Sequence, residues 1–183
     1  KVDEYGRTSN PKVYAIGDLV NAKALAHKAS EEGVVAVEHA AGERPHPVDQ
    51  NLVAGATFCH PQVASVGLTE RRLKQLKLDY QKIYLHPSSS ASYYPGGSPL
   101  SMKLLFAPDG KIFGAQIVGN NGVDKRIDVI ATAMMNGMTA PELAAIELSY
   151  APPFNSAKDP VNFAGMIAEN VLNGDSQLAH VDD

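Results

Sequence analysis

Only one cysteine, Cys59, stands in the 183 residues. A single thiol excludes an internal disulfide and any two-cysteine redox centre built within this chain. Zinc-type spacing is missing too, because His27, His39, His46, His60, His86 and His180 are scattered, and no metal site is expected. The longest apolar stretches, 34–37 and 127–135 with its internal Asp128, fall well short of the roughly 20 residues of a membrane helix. Positive charge is not in excess. Lys plus Arg number 16 against 20 Asp plus Glu, for a net charge of -4, which argues against nucleic acid or an anionic membrane as partner. There is no glycine-rich dinucleotide fingerprint of the G-x-G-x-x-G type. Residues 1–10 are polar, without the apolar stretch of a signal peptide, so the expected location is cytoplasmic.

What is present has the composition of a folded chain: 44% hydrophobic and 20% charged residues, with 15 Gly and 12 Pro spread along the length. It opens on Lys1, not Met, inside strand-forming sequence, and reads as a piece of a longer protein. Val13-Tyr14-Ala15-Ile16 ending in Gly17-Asp18 has the pattern of a buried strand entering a tight turn. Leu25, Ala29, Val34, Val37 and Ala40 then recur near helical spacing over 24–41, with Gly42 as the stop. Residues 43–51, with Pro45 and Pro47, form a polar connector.

Beyond the connector, 52–58, 62–66 and 80–86 read as strands, with a short helix capped by Thr69 between the second and third. Residues 88–98 form a Ser, Gly and Pro rich loop carrying Tyr93 and Tyr94. A hairpin follows, 102–106 and 111–118 around Asp109-Gly110. Helices are expected at 124–136, at 140–147 behind the capping-box pattern Thr139-Ala140-Pro141-Glu142, and after Asp159-Pro160 as far as Asn173-Gly174. The class is α+β: an antiparallel sheet flanked by helices, preceded by a strand and helix of an α/β domain. The expected divisions are 1–48, 49–174 and a tail or linker at 175–183. One strand and one helix cannot bury their own apolar faces, so residues 1–42 belong with a larger domain.

Val13 through Asp18, with Ala24-Leu25-Ala26-His27-Lys28-Ala29, resembles the second flavin-contacting motif of the FAD-dependent pyridine nucleotide-disulfide oxidoreductases. The resemblance implies that Gly17 and Asp18 meet the ribityl chain and that Ala24, Leu25, Ala26 and His27 open a helix toward the pyrimidine edge. The chemistry suits that role, since a carboxylate at a strand end accepts from hydroxyls and a helix start favours negative charge on the ring. Without the resemblance, Asp18 could simply cap a turn and His27 could be structural or solvated.

A second resemblance covers 52–174. Phe58-Cys59-His60-Pro61 through Glu70 looks like the start of that family's dimerisation domain in its dihydrolipoamide dehydrogenase version. Ala91-Ser92-Tyr93-Tyr94-Pro95-Gly96, Gly122-Val123-Asp124-Lys125-Arg126-Ile127-Asp128 and Tyr150 through Asn162 instead resemble the coenzyme A-disulfide reductase, NADH oxidase and persulfide reductase branch. Lipoamide and glutathione reductases carry a late His-Pro motif and a Glu; here Tyr150-Ala151-Pro152-Pro153-Phe154 stands instead. The branch resemblance implies that Tyr93, Tyr94 and Tyr150 are presented to the active site of a partner subunit, whereas composition alone favours their packing an interface. A phenol with a pKa near 10 is a protonated donor at neutral pH, suited to a leaving thiolate.

Lys125 and Arg126, flanked by Asp124 and Asp128, read as a surface ion-pair cluster more than as a coenzyme A phosphate site. Cys59 reads as a small apolar filler of a strand. The resemblance implies a homodimer through 49–174 that uses FAD and NAD(P)H to reduce a small disulfide or persulfide, its redox cysteine lying outside this chain. A dihydrolipoamide dehydrogenase-like enzyme, or a catalytically silent dimerisation module, are the competing expectations. In some members of the branch a rhodanese domain follows where this chain ends.

Overall fold

The computed structural model describes residues 1–20 and 23–180, and its contacts divide the chain into two units, Lys1–Val53 and Ala54–Asp183. Val181, Asp182 and Asp183 of the expected tail lie outside the described residues.

In the first unit the expected strand at 13–16 pairs, among the described residues, only through a single bridge, Arg7 with Tyr14. A two-stranded ribbon with no third strand gains little, and regular pairing does not spread. A 3-10 turn, Gly17–Leu19, leads on to α1, Ala26–Ala40. Tyr5 stacks on His39 with ring centroids 4.2 Å apart, and the Tyr14 hydroxyl lies 2.8 Å from His39 Nδ1. Leu19 and Val37 stay 83% and 70% exposed, so the unit leaves much of its apolar surface uncovered.

The second unit is a five-stranded antiparallel sheet in which all but one of the neighbouring strand pairs are consecutive in sequence. The strands are β1 Gly55–Thr57, β2 Gln62–Gly67, β3 Gln81–Leu85, β4 Leu100–Phe106 and β5 Ile112–Gly119, arranged β1-β2-β5-β4-β3. Alternation sends Ile83, Leu85, Met102, Leu104, Ala115 and Ile117 to one face, where α3, Val123–Met135, and α4, Pro160–Leu172, cover them. Lys82 and Lys103 have the opposite parity. Both meet Glu70 of the short helix α2, Glu70–Leu76, which places α2 on the other face.

Local chemistry explains the helix ends. The Thr69 hydroxyl accepts from Arg72 N and starts α2, and Asp159 with Asn162 forms a full capping box at α4. Asn162 Nδ2 also donates to Leu143 O and Ile146 O, at 2.9 and 2.8 Å. The helix expected at 140–147 is only a 3-10 segment, Pro141–Ala145. Its last carbonyls are taken by Asn162 instead of by another helical turn. Cys59 is no strand filler: it is exposed at the bend after β1, its thiol 3.0 Å from Pro61 O.

At Gly165 the backbone of α4 crosses that 3-10 segment so closely that a Cβ would run into the backbone of Leu143 and Ala144. Gly165→Ala should therefore destabilise, the overpacking cost of about 1–3 kcal/mol exceeding the roughly 0.5–1 kcal/mol of helix propensity gained. Urea unfolding checks this, and a midpoint at or above that of the parent chain would contradict the close crossing.

The Glu70 carboxylate accepts from Lys103, from the Tyr80 hydroxyl at 2.9 Å and from Lys82 at 3.2 Å, with Lys74 also 3.2 Å away. The Lys103 ammonium foremost holds its carboxyl well below the ordinary value of 4.5. A depressed folded value means that the stabilisation is complete above the ordinary glutamate range and is lost as pH falls below it. Glu70→Gln should flatten the loss of stability between about pH 5 and pH 2 relative to the parent chain; parallel acid limbs would show that the cluster contributes nothing.

Candidate functional site

The loop joining β3 to β4 is closed at its base like a continued hairpin. Ser88 bridges to Pro99, Ser89 N donates to Ser98 O at 2.8 Å, and Leu100 N donates to Pro87 O at 3.0 Å. Beyond that base Ala91 N reaches across to the carbonyls of Asn155 and Pro152, at 3.1 and 3.3 Å. The serine-rich loop and the proline-bearing segment before α4 are therefore laid side by side. Their tyrosines meet there: the hydroxyls of Tyr93 and Tyr150 are 2.8 Å apart.

Both rings of the pair are exposed, 75% for Tyr93 and 46% for Tyr150. The hydrogen bond shared with Tyr93, ahead of any burial, pushes the Tyr150 phenol above the ordinary value of 10. Between them the pair holds two hydroxyl protons and needs only one for the shared bond, leaving a donor free for an incoming acceptor. Tyr94 is not part of this pair. It is half-exposed, and its backbone N–H closes a turn on Ala91 O at 3.0 Å.

Beneath the two segments lies a side chain read from the sequence as a surface cation. Arg126, on α3, is 1% exposed, and it pairs with Asp159 of the α4 cap instead of Asp124 or Asp128. Its Nε donates to Asp159 Oδ1 at 3.3 Å, and Nη2 lies 3.2 Å from Asp159 Oδ2. Nη1 donates to Gly122 O at 3.0 Å, and Nη2 donates to Ser89 O at 2.7 Å and to Asn155 Oδ1 at 3.2 Å. A buried guanidinium cannot serve as a surface phosphate site. The helical repeat carried the missing signal: Val123, Ile127, Ile130 and Ala133 are all buried, and position 126 falls on the same stripe. The sequence carries no local sign that Asp159 and Asn155 are its partners, because each looks like ordinary cap or turn chemistry in isolation.

The other sequence-selected residues lie in the first unit. Gly17 is buried with φ +70°, and a Cβ there would come within 3.3 Å of Ala29 Cβ, so the turn is fitted closely to α1. Its N–H donates to Glu32 Oε2 at 2.8 Å. Glu32 in turn takes Gln50 Nε2 at 3.0 Å and pairs with buried Lys28 at 3.2 Å. Asp18 projects exposed from this anchored turn. The helix α1 begins at Ala26, among the described residues no side chain caps its first amides, and Ala24, Ala26 and His27 are exposed while Leu25 is half-buried. A solvent-facing carboxylate beside an uncapped helix start fits the ribityl hydroxyls and pyrimidine edge of a flavin. Among the described residues no group of three or more His, Cys, Asp or Glu could hold a metal ion, and no helix is long and apolar enough to cross a membrane.

Comparison with known proteins gives this geometry a family. Residues 53–160 match the pyridine nucleotide-disulphide oxidoreductase dimerisation domain. A coenzyme A disulfide reductase of Staphylococcus aureus (strain bovine RF122 / ET3-1) is 35% identical over an alignment covering 92% of this chain and 41% of that protein. Reduced Bacillus anthracis CoADR-RHD superposes with a TM-score of 0.89 at 38% identity, over 97% of this chain and 34% of that one. A NAD-dependent persulfide reductase from A. fulgidus superposes with a TM-score of 0.85 at 34% identity, over all of this chain and 36% of that one. The chain thus spans well under half the length of these relatives.

The phenol pair makes a direct prediction. In Tyr93→Phe the Tyr150 titration should move back down toward the ordinary tyrosine value near 10, as followed by NMR of chain labelled at the tyrosine Cζ carbon; an unmoved midpoint would mean the two hydroxyls do not meet in solution. By the extent of the domain match and the likeness of these relatives, the chain belongs to the pyridine nucleotide-disulphide oxidoreductase family.

Proposed function

We propose that this chain is the dimerisation portion, with the adjoining end of the FAD-binding domain, of a homodimeric flavoprotein that uses NAD(P)H to reduce a small disulfide or persulfide such as coenzyme A disulfide. The observation that carries the reading is the exposed Tyr93–Tyr150 hydroxyl pair at 2.8 Å. The substrates named for the similar proteins, coenzyme A disulfide and persulfide, are both sulfur compounds. The uncovered apolar surface of the first unit, including Leu19 and Val37, supports its belonging to a larger FAD-binding domain.

In this reading Asp18 accepts from the ribityl hydroxyls, Gly17 keeps the turn tight against α1, and the amides opening α1, with Ala24, Leu25, Ala26 and His27 around them, face the pyrimidine edge. The bound FAD supplies the route by which the electron pair of NAD(P)H reaches sulfur. Reduction of a disulfide takes two electrons and two protons and yields two thiols; the hydride accounts for one proton and solvent for the other. Tyr93 and Tyr150, offered to the partner subunit's reacting sulfur, donate a hydrogen bond to the thiolate as it leaves. The bond shared with Tyr93 holds the Tyr150 phenol above the ordinary tyrosine value, so Tyr150 keeps its proton through neutral pH. Tyr94 lies outside the pair and serves the same surface by position alone.

The test uses the full-length protein. Tyr93→Phe and Tyr150→Phe should each lower kcat for disulfide reduction by about 100-fold, the low end of what a positioned proton donor contributes, while NAD(P)H still bleaches the flavin at the parent rate. Unchanged disulfide turnover in both variants would remove the tyrosines from the chemistry. Strong reduction of lipoamide with none of coenzyme A disulfide would move the protein to the dihydrolipoamide branch.

A further inference from the structure

We infer that Arg126 is a positioning residue of the proposed site, a buried side chain that holds the two tyrosine-bearing segments in register together with the backbone bonds of Ala91. The inference rests on the reading that Tyr93 and Tyr150 act on sulfur, and adds the device that sets their geometry.

Three segments converge on the guanidinium, and among the described residues it is the only side chain that bonds all of them. Ser89 O belongs to the β3–β4 loop, four residues before Tyr93. Asn155 Oδ1 belongs to the segment that begins with Tyr150, and Asp159 caps α4 at its far end. Gly122 O anchors the same group to the start of its own helix. A planar fork of fixed donors can satisfy carbonyls and a carboxylate at several angles together, which an ammonium cannot. The conformational freedom of the loop is thereby removed before any substrate arrives, and a 1 Å displacement of a catalytic group can cost about 100-fold in rate. Neither tyrosine is otherwise restrained by burial, since both rings are exposed. The shared hydroxyl bond at 2.8 Å needs the backbones beneath it to be held.

The arrangement also answers why a charge is kept in this core. A buried ion pair is seldom the most stable filling for a cavity, and its retention suits a site in which geometry matters more than stability. Asp159 balances the charge, while the remaining donors are spent on backbone carbonyl and amide oxygens of the two segments.

Arg126→Lys keeps the charge opposite Asp159 but loses the fork, and is the informative variant. In the chain described here, Tyr150 should lose its upward-shifted titration, moving as it does in Tyr93→Phe, while far-ultraviolet circular dichroism stays unchanged. In the full-length protein kcat for coenzyme A disulfide should fall at least tenfold, with flavin reduction by NAD(P)H untouched and KM little changed. Ile130→Val, a core change elsewhere on α3, serves as the control: it should lower the melting temperature without moving either readout. If Arg126→Lys does not fold, the paired substitution Arg126→Gln with Asp159→Asn removes both charges and carries the same expectation. A folded Arg126 variant that keeps the shifted Tyr150 titration overturns the inference. A titration that moves while turnover stays at the parent level instead upholds the positioning role and sinks the catalytic reading of the tyrosines.

Discussion

The second unit depends on one constraint: a buried guanidinium must find its acceptors and its counter-ion inside the protein. Arg126 meets it by drawing a loop carbonyl, an amide oxygen, a cap carboxylate and its own helix start to a single point. Leaving such a group without its counter-ion costs on the order of 3–5 kcal/mol, so the segments cannot drift independently. Asp159 serves at once as counter-ion and as the cap of α4, through its bond from Val161 N at 2.9 Å. Asn162 extends the same economy by closing the capping box and accepting responsibility for the carbonyls that end the 3-10 segment. Loop, segment and helix are thus one electrostatic unit laid over the sheet.

Much of the sheet was legible in the sequence because its signals are local. The hairpin of β4 and β5 follows from strand patterns around Asp109-Gly110, and Thr69 and Asp159 mark their helices by side-chain chemistry alone. The misses are non-local. Val13 to Ile16 has strand composition, yet a strand exists only where a neighbour pairs with it, and among the described residues one bridge is all that forms. Arg126 looked solvated because two aspartates stand near it in sequence, while its true partner is 33 residues away. Cys59 looked apolar by type but sits exposed at a bend.

The tyrosines show the same division. Their residue types and a family resemblance selected Tyr93, Tyr94 and Tyr150 together, but spacing within the chain could not say which would touch. The fold separates them, joining Tyr93 to Tyr150 across 57 positions and leaving Tyr94 in a turn. In the first unit, Gly17 and Asp18 keep the turn that the sequence suggests, anchored by Glu32, a contact no motif disclosed. In the proposed function the exposed carboxylate and the start of α1 form one half of a cofactor cradle, and the phenol pair a surface that one protomer offers to another.

That exchange between subunits is the centre of the account, and mixed dimers of the full-length protein test it most directly. One protomer carries a disabled redox thiol with its tyrosines intact; the other keeps its thiol but carries Tyr93→Phe and Tyr150→Phe. Each homodimer should turn over coenzyme A disulfide at no more than about a hundredth of the parent rate. If each site takes its sulfur from one subunit and its phenols from the other, activity returns in the mixed dimer, where one site is again complete. A mixed dimer as inactive as its parents would contradict the account.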